Sequence, residues 1–113
     1  MIKVSIFYPN TESNRFDRDY YLNKHIPRAI ELLSAHPGYR GVSVEFGLGG
    51  GGVGEPPTYA VICHFVFDSL ESFREGFIPV RPELRGDMRN YTDIDTIVQI
   101  SEIALAQSSQ AIG

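Results

Sequence analysis

Apolar and polar residues alternate over several short segments of the chain, a pattern typical of β-strands with one buried face. The first such segment, IKVSIFY, spans residues 2–8. The same pattern predicts strands over residues 39–46, 58–67 and 93–103. The segment 58–67, TYAVICHFVF, is apolar on both faces, so we expect it in the middle of a sheet that is covered on both sides.

A longer period, with apolar residues three and four positions apart, predicts a helix over about residues 17–35. Its expected core stripe consists of Leu22, Ile26, Ile30 and Leu33. Pro27 interrupts this helix. Because proline offers no amide donor and clashes with the preceding turn, we expect a kink or a helix restart near residues 23–27.

A shorter helix is predicted after Asp68 and Ser69, since both residue types cap helix N-termini. Pro79 and Pro82 are expected to end this helix or to break it. We expect an irregular connection over residues 83–91, ahead of the last strand.

The predicted order, β-α-β-β-α-β, indicates a ferredoxin-like α+β fold, in which two helices cover one face of a four-stranded antiparallel sheet. We assign this fold to residues 1–104 and treat residues 105–113 as a C-terminal tail. The second sheet face has no cover from within the chain, although Phe7 and Ile97 add apolar area to it. A contiguous apolar face does not stay in water, so we expect a homodimer in which two such faces pack together.

Composition and charge exclude several classes of partner. The 113 residues are 42% hydrophobic and 21% charged, which is a globular composition. The net charge is −4 and the ten basic residues form no run, so we expect no nucleic-acid partner. The N-terminal apolar stretch is too short for a signal peptide and no segment is long enough to span a membrane, so we expect a cytoplasmic protein.

The sequence indicates neither a metal site nor a cofactor site. Cys63 is the only cysteine, and the three histidines show neither HxxxH nor HxH spacing. The Gly-rich stretch that begins at residue 47, GLGGGGVGEPP, lacks the Lys-Ser/Thr pair of a phosphate loop. We interpret it as a hairpin connection between two strands, with a flap over a pocket as the alternative.

The stretch DRDYYLNKHIP carries the first candidate site. Asp17, Tyr21 and His25 recur every four residues, so on a helix they form a stripe beside the predicted core stripe. Histidine exchanges protons near neutral pH, and tyrosine donates hydrogen bonds to a developing oxyanion. The alternative is a boundary His and Tyr that are satisfied by neighbours or water.

Four further residues are candidates for contact with a substrate. His64 lies in the middle of an apolar strand and serves either as a hydrogen-bonded structural residue or as a site residue. Tyr91 lies in the loop just before the last strand, which is a favourable place for a binding residue. Tyr20 and Phe7 complete the set. We interpret Asp93, in the same loop as Tyr91, as a turn residue.

Five stretches, together spanning residues 1–103, resemble the EthD family, named for a protein encoded with an ethyl tert-butyl ether degradation system. They are MIKVSIFYPN, FDRDYYLNKHIP, GVSVEFGLGGG, FDSLESF and NYTDIDTIVQISEI. The resemblance implies a dimeric α+β barrel, related to cofactor-free monooxygenases, muconolactone-type isomerases and polyketide cyclases. Those proteins bind small hydrophobic or aromatic molecules between sheet and helices. The resemblance further implies that His25 faces this cavity, with Tyr21 beside it.

Three hypotheses about function follow. In the first, the protein is an enzyme that acts on a small hydrophobic molecule without a cofactor, with His25 as general acid or base and Tyr21 or Tyr91 orienting an oxygen. In the second, the same cavity holds such a molecule without chemistry, in a binding or accessory protein of a degradation pathway. In the third, the dimer has a filled core and no site.

Overall fold

Four strands form one antiparallel sheet in the computed structural model, which describes residues 1–12 and 15–107. Residues 13–14 and residues 108–113, which belong to the predicted C-terminal tail, lie outside the described residues. The strands follow the order β2-β3-β1-β4 across the sheet. Their bounds are β1 Ile2–Pro9, β2 Tyr39–Phe46, β3 Tyr59–Phe67 and β4 Ile97–Glu102.

The helical segments lie between β1 and β2 and between β3 and β4, so the predicted ferredoxin-like order is confirmed. The first connection contains α1 Arg18–Tyr20, a π-helical turn Tyr21–His25 and α2 Ile26–Leu33. The second contains α3 Leu70–Phe77, α4 Arg81–Asp87 and a 3₁₀ turn Met88–Asn90. The assignment of the domain to residues 1–104 stays a prediction.

Strand register determines which side chains face the helices. Val4 lies opposite Phe65 on one neighbouring strand and opposite Ile100 on the other, so all three side chains share one sheet face. Val4, Phe65 and their neighbour Cys63 are buried there beneath the helices. This covered face holds the hydrophobic core, and β3 lies near the middle of the sheet as its apolar sequence predicts.

A wide turn replaces the expected kink in the first helical connection. The Ile26 amide donates to the carbonyl of Tyr21, five residues back, which defines a π turn. Pro27 has no amide to offer to the carbonyl four residues before it, and it lies in the first turn of α2. The predicted interruption is therefore present as a π turn followed by a new α-helix.

The predicted core stripe of this connection is wrong at two positions. Leu22 and Ile30 are 43% and 40% exposed. The residues buried against the sheet are Tyr21, His25, Ile26, Ala29 and Leu33. In an α-helix, positions four apart advance by about 40° around the axis. The π turn has more residues per turn and offsets part of that advance. Residues spaced by four, from Tyr21 to Leu33, therefore stay on the buried face.

The predicted irregular connection over residues 83–91 is also wrong, because α4 covers most of it. Pro82 starts this helix instead of ending the previous one. A proline in the first turn loses no hydrogen bond, since the first amides of a helix have no partner inside the helix. The helix buries Leu84 against the core and brings Asp87 to the π turn of the first helical connection.

The last strand begins at Ile97 rather than at residue 93. Thr92, just ahead of this segment, pairs with Phe16 in an isolated β-bridge. The Thr92 hydroxyl donates to the Arg15 carbonyl at 2.7 Å and accepts from the Ile94 amide at 3.1 Å. These local hydrogen bonds hold the backbone away from the sheet ladder until the strand starts.

The second sheet face carries no helix, and we call it the open face. Its middle row consists of Phe7, Ile62, Ile97 and Glu45, and its next row of Ser5, His64, Ser43 and Gln99. Tyr59 joins this face because a register shift at the end of β1 brings its ring to 4.8 Å from that of Phe7. The Gly-rich connection after β2 lies beside Tyr59 and Ile62 at the edge of the open face.

Candidate functional site

A cavity of about 370 Å³ lies between the covered sheet face and the helices α3 and α4. This volume is in the range of small-molecule binding sites. Most of its wall is apolar and is formed by residues such as Val4, Phe65, Phe73, Leu84 and Ile100. His25 and Tyr91 border it as well, and both are buried, so the cavity has a polar patch at its buried end.

The two ring nitrogens of His25 have different partners. Nδ1 lies 2.8 Å from Oδ2 of Asp87, and Nε2 lies 3.4 Å from the hydroxyl of Tyr91. A carboxylate only accepts hydrogen bonds, so Nδ1 carries the proton and donates to Asp87. Nε2 then has a lone pair directed at a hydroxyl that is too distant for a strong hydrogen bond.

Asp87 accepts hydrogen bonds from three side chains. Besides the contact with His25, its Oδ1 accepts from the Tyr20 hydroxyl at 2.6 Å and from Asn90 Nδ2 at 2.8 Å. Burial acts to raise the pKa of Asp87, but the hydrogen bonds from Tyr20, Asn90 and His25 outweigh burial and leave the pKa below its usual value. The carboxylate is therefore ionised at neutral pH.

The pKa of His25 is lowered from its usual value of 6.5. Burial disfavours the imidazolium and is the largest effect, while the contact with Asp87 acts in the opposite direction and does not cancel it. At neutral pH the pair is thus a neutral imidazole that donates to a carboxylate. Such an imidazole is ready to accept a proton at Nε2.

Two buried tyrosines extend this hydrogen-bonded chain. The hydroxyls of Tyr8 and Tyr91 lie 2.8 Å apart, and Tyr91 in turn reaches His25. Burial raises the pKa of Tyr8 to about 12 and also raises the pKa of Tyr91. Both hydroxyls therefore stay protonated at neutral pH and act as hydrogen-bond donors.

Tyr21 supports His25 without presenting its hydroxyl to the cavity. The two rings stack with their centroids 5.5 Å apart and an interplanar angle of 15°. The Tyr21 hydroxyl lies against the Cys63 thiol, on the sheet beneath. Burial raises the pKa of Cys63 to about 12, so this thiol is not a nucleophile at neutral pH.

The structure brings together some of the predicted site residues and separates others. His25 and Tyr91 border the cavity, and Tyr20 joins them through Asp87. His64 and Phe7 lie on the open face, on the other side of the sheet. There His64 Nδ1 lies 2.7 Å from Ser5 Oγ, and its Nε2 lies 3.6 Å from Glu45 Oε1. A role for His64 or Phe7 in contact with a substrate stays a prediction, and it does not concern this cavity.

The EthD domain matches residues 10–95. The chain belongs to the EthD family. A crystal structure of an EthD-like protein from Ralstonia eutropha JMP134 is similar at 39% identity, with 95% of each chain covered and a TM-score of 0.87. The resemblance stated from the sequence is thereby confirmed, and the comparison with curated proteins finds no match.

More distant structures support the fold of this EthD-family chain. SnoaB, a cofactor-independent oxygenase from Streptomyces nogalater, matches at 9% identity over 96% of both chains, with a TM-score of 0.62. A dimeric protein of unknown function and ferredoxin-like fold from Bacteroides fragilis matches at 15% identity over 89% of this chain and 94% of that chain, with a TM-score of 0.55. At these identities the likeness concerns the fold alone.

The described residues contain no group of three or more His, Cys, Asp and Glu side chains arranged to hold a metal ion. Within residues 1–12 and 15–107 no helix has the length and apolar character needed to cross a membrane.

Asp87 and Tyr8 are the site residues that sequence reasoning missed. Asp87 lies in the stretch GDMRNYTDID, whose pattern indicates Tyr91 as a site candidate and Asn90 and Asp93 as turn residues. Pro82 is a sequence signal for this helix, because proline is favoured in the first turn of a helix. A helix that starts there runs toward Asp87. Tyr8 ends an alternating strand, and a tyrosine on a buried face needs a partner for its hydroxyl.

We predict that Asp87→Asn lowers the pKa of His25 further. The contact with the carboxylate is the effect that raises this pKa, and the substitution removes its charge while burial remains. NMR titration of the His25 ring protons measures the change. Asp68→Asn is the matched control, because that carboxylate binds Arg40 at 2.5 and 2.7 Å instead. An unchanged or higher His25 pKa in Asp87→Asn contradicts the assigned hydrogen bond.

Proposed function

We propose that the chain is a cofactor-independent enzyme that moves a proton on a small hydrophobic or aromatic molecule held in the cavity. One observation carries this proposal: a neutral His25, held through Nδ1 by Asp87, borders a mainly apolar cavity beside the Tyr91 hydroxyl. A base with a lowered pKa in a mainly apolar pocket is a combination that favours proton abstraction at neutral pH.

His25 acts as the general base in this mechanism. Nε2 takes a proton from an acidic C–H or O–H group of the bound molecule, and the imidazole becomes an imidazolium. Asp87 stabilises that cation through the Nδ1–H bond and keeps the ring in the orientation that presents Nε2. Tyr20 and Asn90 hold the carboxylate in place, so the base needs no rearrangement during the reaction.

Tyr91 stabilises the anion that proton removal leaves on the substrate. Its hydroxyl is a donor at the buried end of the cavity, and the Tyr8 hydroxyl, 2.8 Å from it, can donate in turn to the Tyr91 oxygen. Hydrogen bonds aimed at a developing oxyanion are strong where water is excluded. Tyr91 therefore takes the role that the sequence left open between Tyr21 and Tyr91.

The same step serves two reactions. Return of the proton from His25 to a different atom of the anion gives an isomer, and no further reactant is needed. Addition of the anion to dioxygen oxidises the substrate, forms a C–O bond and reduces the dioxygen to a peroxide, which takes the proton back from His25 to give a hydroperoxide. SnoaB, whose fold the chain shares, is a cofactor-independent oxygenase, which is consistent with the second reaction. The chemistry of the substrate would decide between the two.

The test is exchange of acidic C–H protons for deuterium in D₂O, followed by NMR on a panel of small aromatic ketones and phenols. We expect the protein to accelerate exchange for at least one compound, and His25→Ala to lower that rate by about 10²–10⁴-fold. His36→Ala is the matched control, since His36 binds Glu75 at 2.9 Å in the turn after α2 and does not border the cavity. Binding without exchange would favour a non-catalytic or accessory protein.

Tyr91→Phe is predicted to slow exchange by about 10²-fold, because the variant loses the donor for the anion. Tyr21→Phe removes a hydroxyl that lies against Cys63 and is expected to change the rate less than threefold. Both variants keep an aromatic ring, so a comparison of their exchange rates isolates the two hydroxyls. A larger loss for Tyr21→Phe would assign the donor role to Tyr21.

We further infer that two chains pair through their open faces. Phe7, Tyr59, Ile62 and Val66 place apolar side chains on a face that no helix of the described residues covers. A monomer would leave this face in water. The dimer named for the Bacteroides fragilis protein is consistent with this pairing, which would close two ferredoxin-like sheets into a dimeric α+β barrel.

Analytical ultracentrifugation at micromolar concentration is expected to show a dimer that Ile62→Asp converts to a monomer, because the substitution buries a charge between two sheets. Leu22→Asp is the control, since Leu22 lies in the π turn on the helix side of the sheet, away from the open face, and is 43% exposed. Its dimer is expected to persist. A monomeric parent protein would contradict the pairing.

A further inference from the structure

The cavity has a cationic rim that the proton transfer does not use. Arg81 and Arg85 both border the cavity, and both are exposed, whereas His25 lies at the buried end. They are four residues apart on α4, so their side chains leave the same face of the helix. A ligand that enters from solvent therefore passes two guanidinium groups before it reaches the base.

Neither guanidinium has a carboxylate partner within residues 1–12 and 15–107. Arg28 and Arg40, in contrast, bind Glu83 and Asp68. Arg74 on α3 also lacks such a partner, but it does not border the cavity. Arg81 and Arg85 differ from Arg74 because they lie at the entrance to a mainly apolar cavity, where an unpaired guanidinium can bind a ligand.

We propose that the ligand of this cavity carries a carboxylate, which Arg81 and Arg85 bind at the rim, at the end of an apolar or aromatic body. The proposal rests on the proposed function in that the cavity must hold a ligand. Guanidinium groups match the planar carboxylate with paired N–H donors. The chain has a net charge of −4, so a local pair of cations is needed to attract an anion.

The charges around the cavity also determine which way the ligand points. Asp87 is ionised and lies beside His25, so it repels a carboxylate at the buried end. Arg81 and Arg85 attract it at the exposed end. The apolar body then extends along Phe73 and Leu84 toward Nε2 of His25. The substrate class is accordingly an apolar carboxylic acid whose reactive C–H or O–H group is remote from the carboxylate.

Calorimetric titration with 2-naphthoate and with its neutral analogue 2-naphthamide tests this inference, because it measures binding and not turnover. We expect 2-naphthoate to bind the parent protein at least tenfold more tightly than the amide. The difference should disappear in the double variant Arg81→Gln/Arg85→Gln and remain in the double variant Arg74→Gln/Arg89→Gln, which changes the net charge equally. Higher salt should weaken 2-naphthoate binding and leave 2-naphthamide binding unchanged.

Circular dichroism verifies that both double variants fold, and Arg81→Lys/Arg85→Lys provides a rescue in which part of the preference returns. Equal affinities for acid and amide in the parent protein would overturn the carboxylate inference and leave the role of His25 intact. So would a preference that survives in Arg81→Gln/Arg85→Gln. Binding of neither compound at millimolar concentration would overturn this inference and the assignment of the cavity as an aromatic site together.

Discussion

The hydrogen bond between Asp87 and His25 joins the end of α4 to the π turn, across 62 residues of sequence. It gives the buried imidazole a partner for its one proton, and a buried donor without a partner would cost about 1–3 kcal/mol. It also decides that the proton sits on Nδ1 and that Nε2 is the basic atom. The position of α4 therefore depends on the same contact as the chemistry at the buried end of the cavity, which we call its floor.

Burial and hydrogen bonding shape the rest of this floor. Phe16 packs edge-on against Tyr8, Tyr21 and Tyr91, with ring centroids between 4.9 and 5.4 Å away. Two of these tyrosine hydroxyls bind each other, and that chain ends at the imidazole. Packed aromatic rings cannot move far, so the polar groups keep their positions. The cavity thus combines a rigid polar floor, apolar walls and a rim with two exposed arginines.

Local patterns sufficed for the fold because strand and turn signals need no knowledge of distant residues. The alternation in residues 2–8 and the apolar run in residues 58–67 led to the right strands and to the right place for β3 in the sheet. The sequence pattern gave a wrong prediction at a proline, because proline occurs both after the end of a helix and in the first turn of a new one. Pro82 is expected from the sequence to end or break one helix, whereas it begins the next, and the expectation leaves α4 and its Asp87 out of the predicted site.

The sequence by itself determined the order of the elements, the EthD resemblance, and His25 and Tyr91 as site candidates, because spacing and residue chemistry are local properties. Tertiary structure decided the rest. The pleat places His64 and Cys63 on opposite faces, but only helix packing decides which face borders the cavity, and it left His64 on the open face. Asp87 came to His25 through the packing of two helical segments, and no short-range pattern encodes a contact between residues so far apart in the chain.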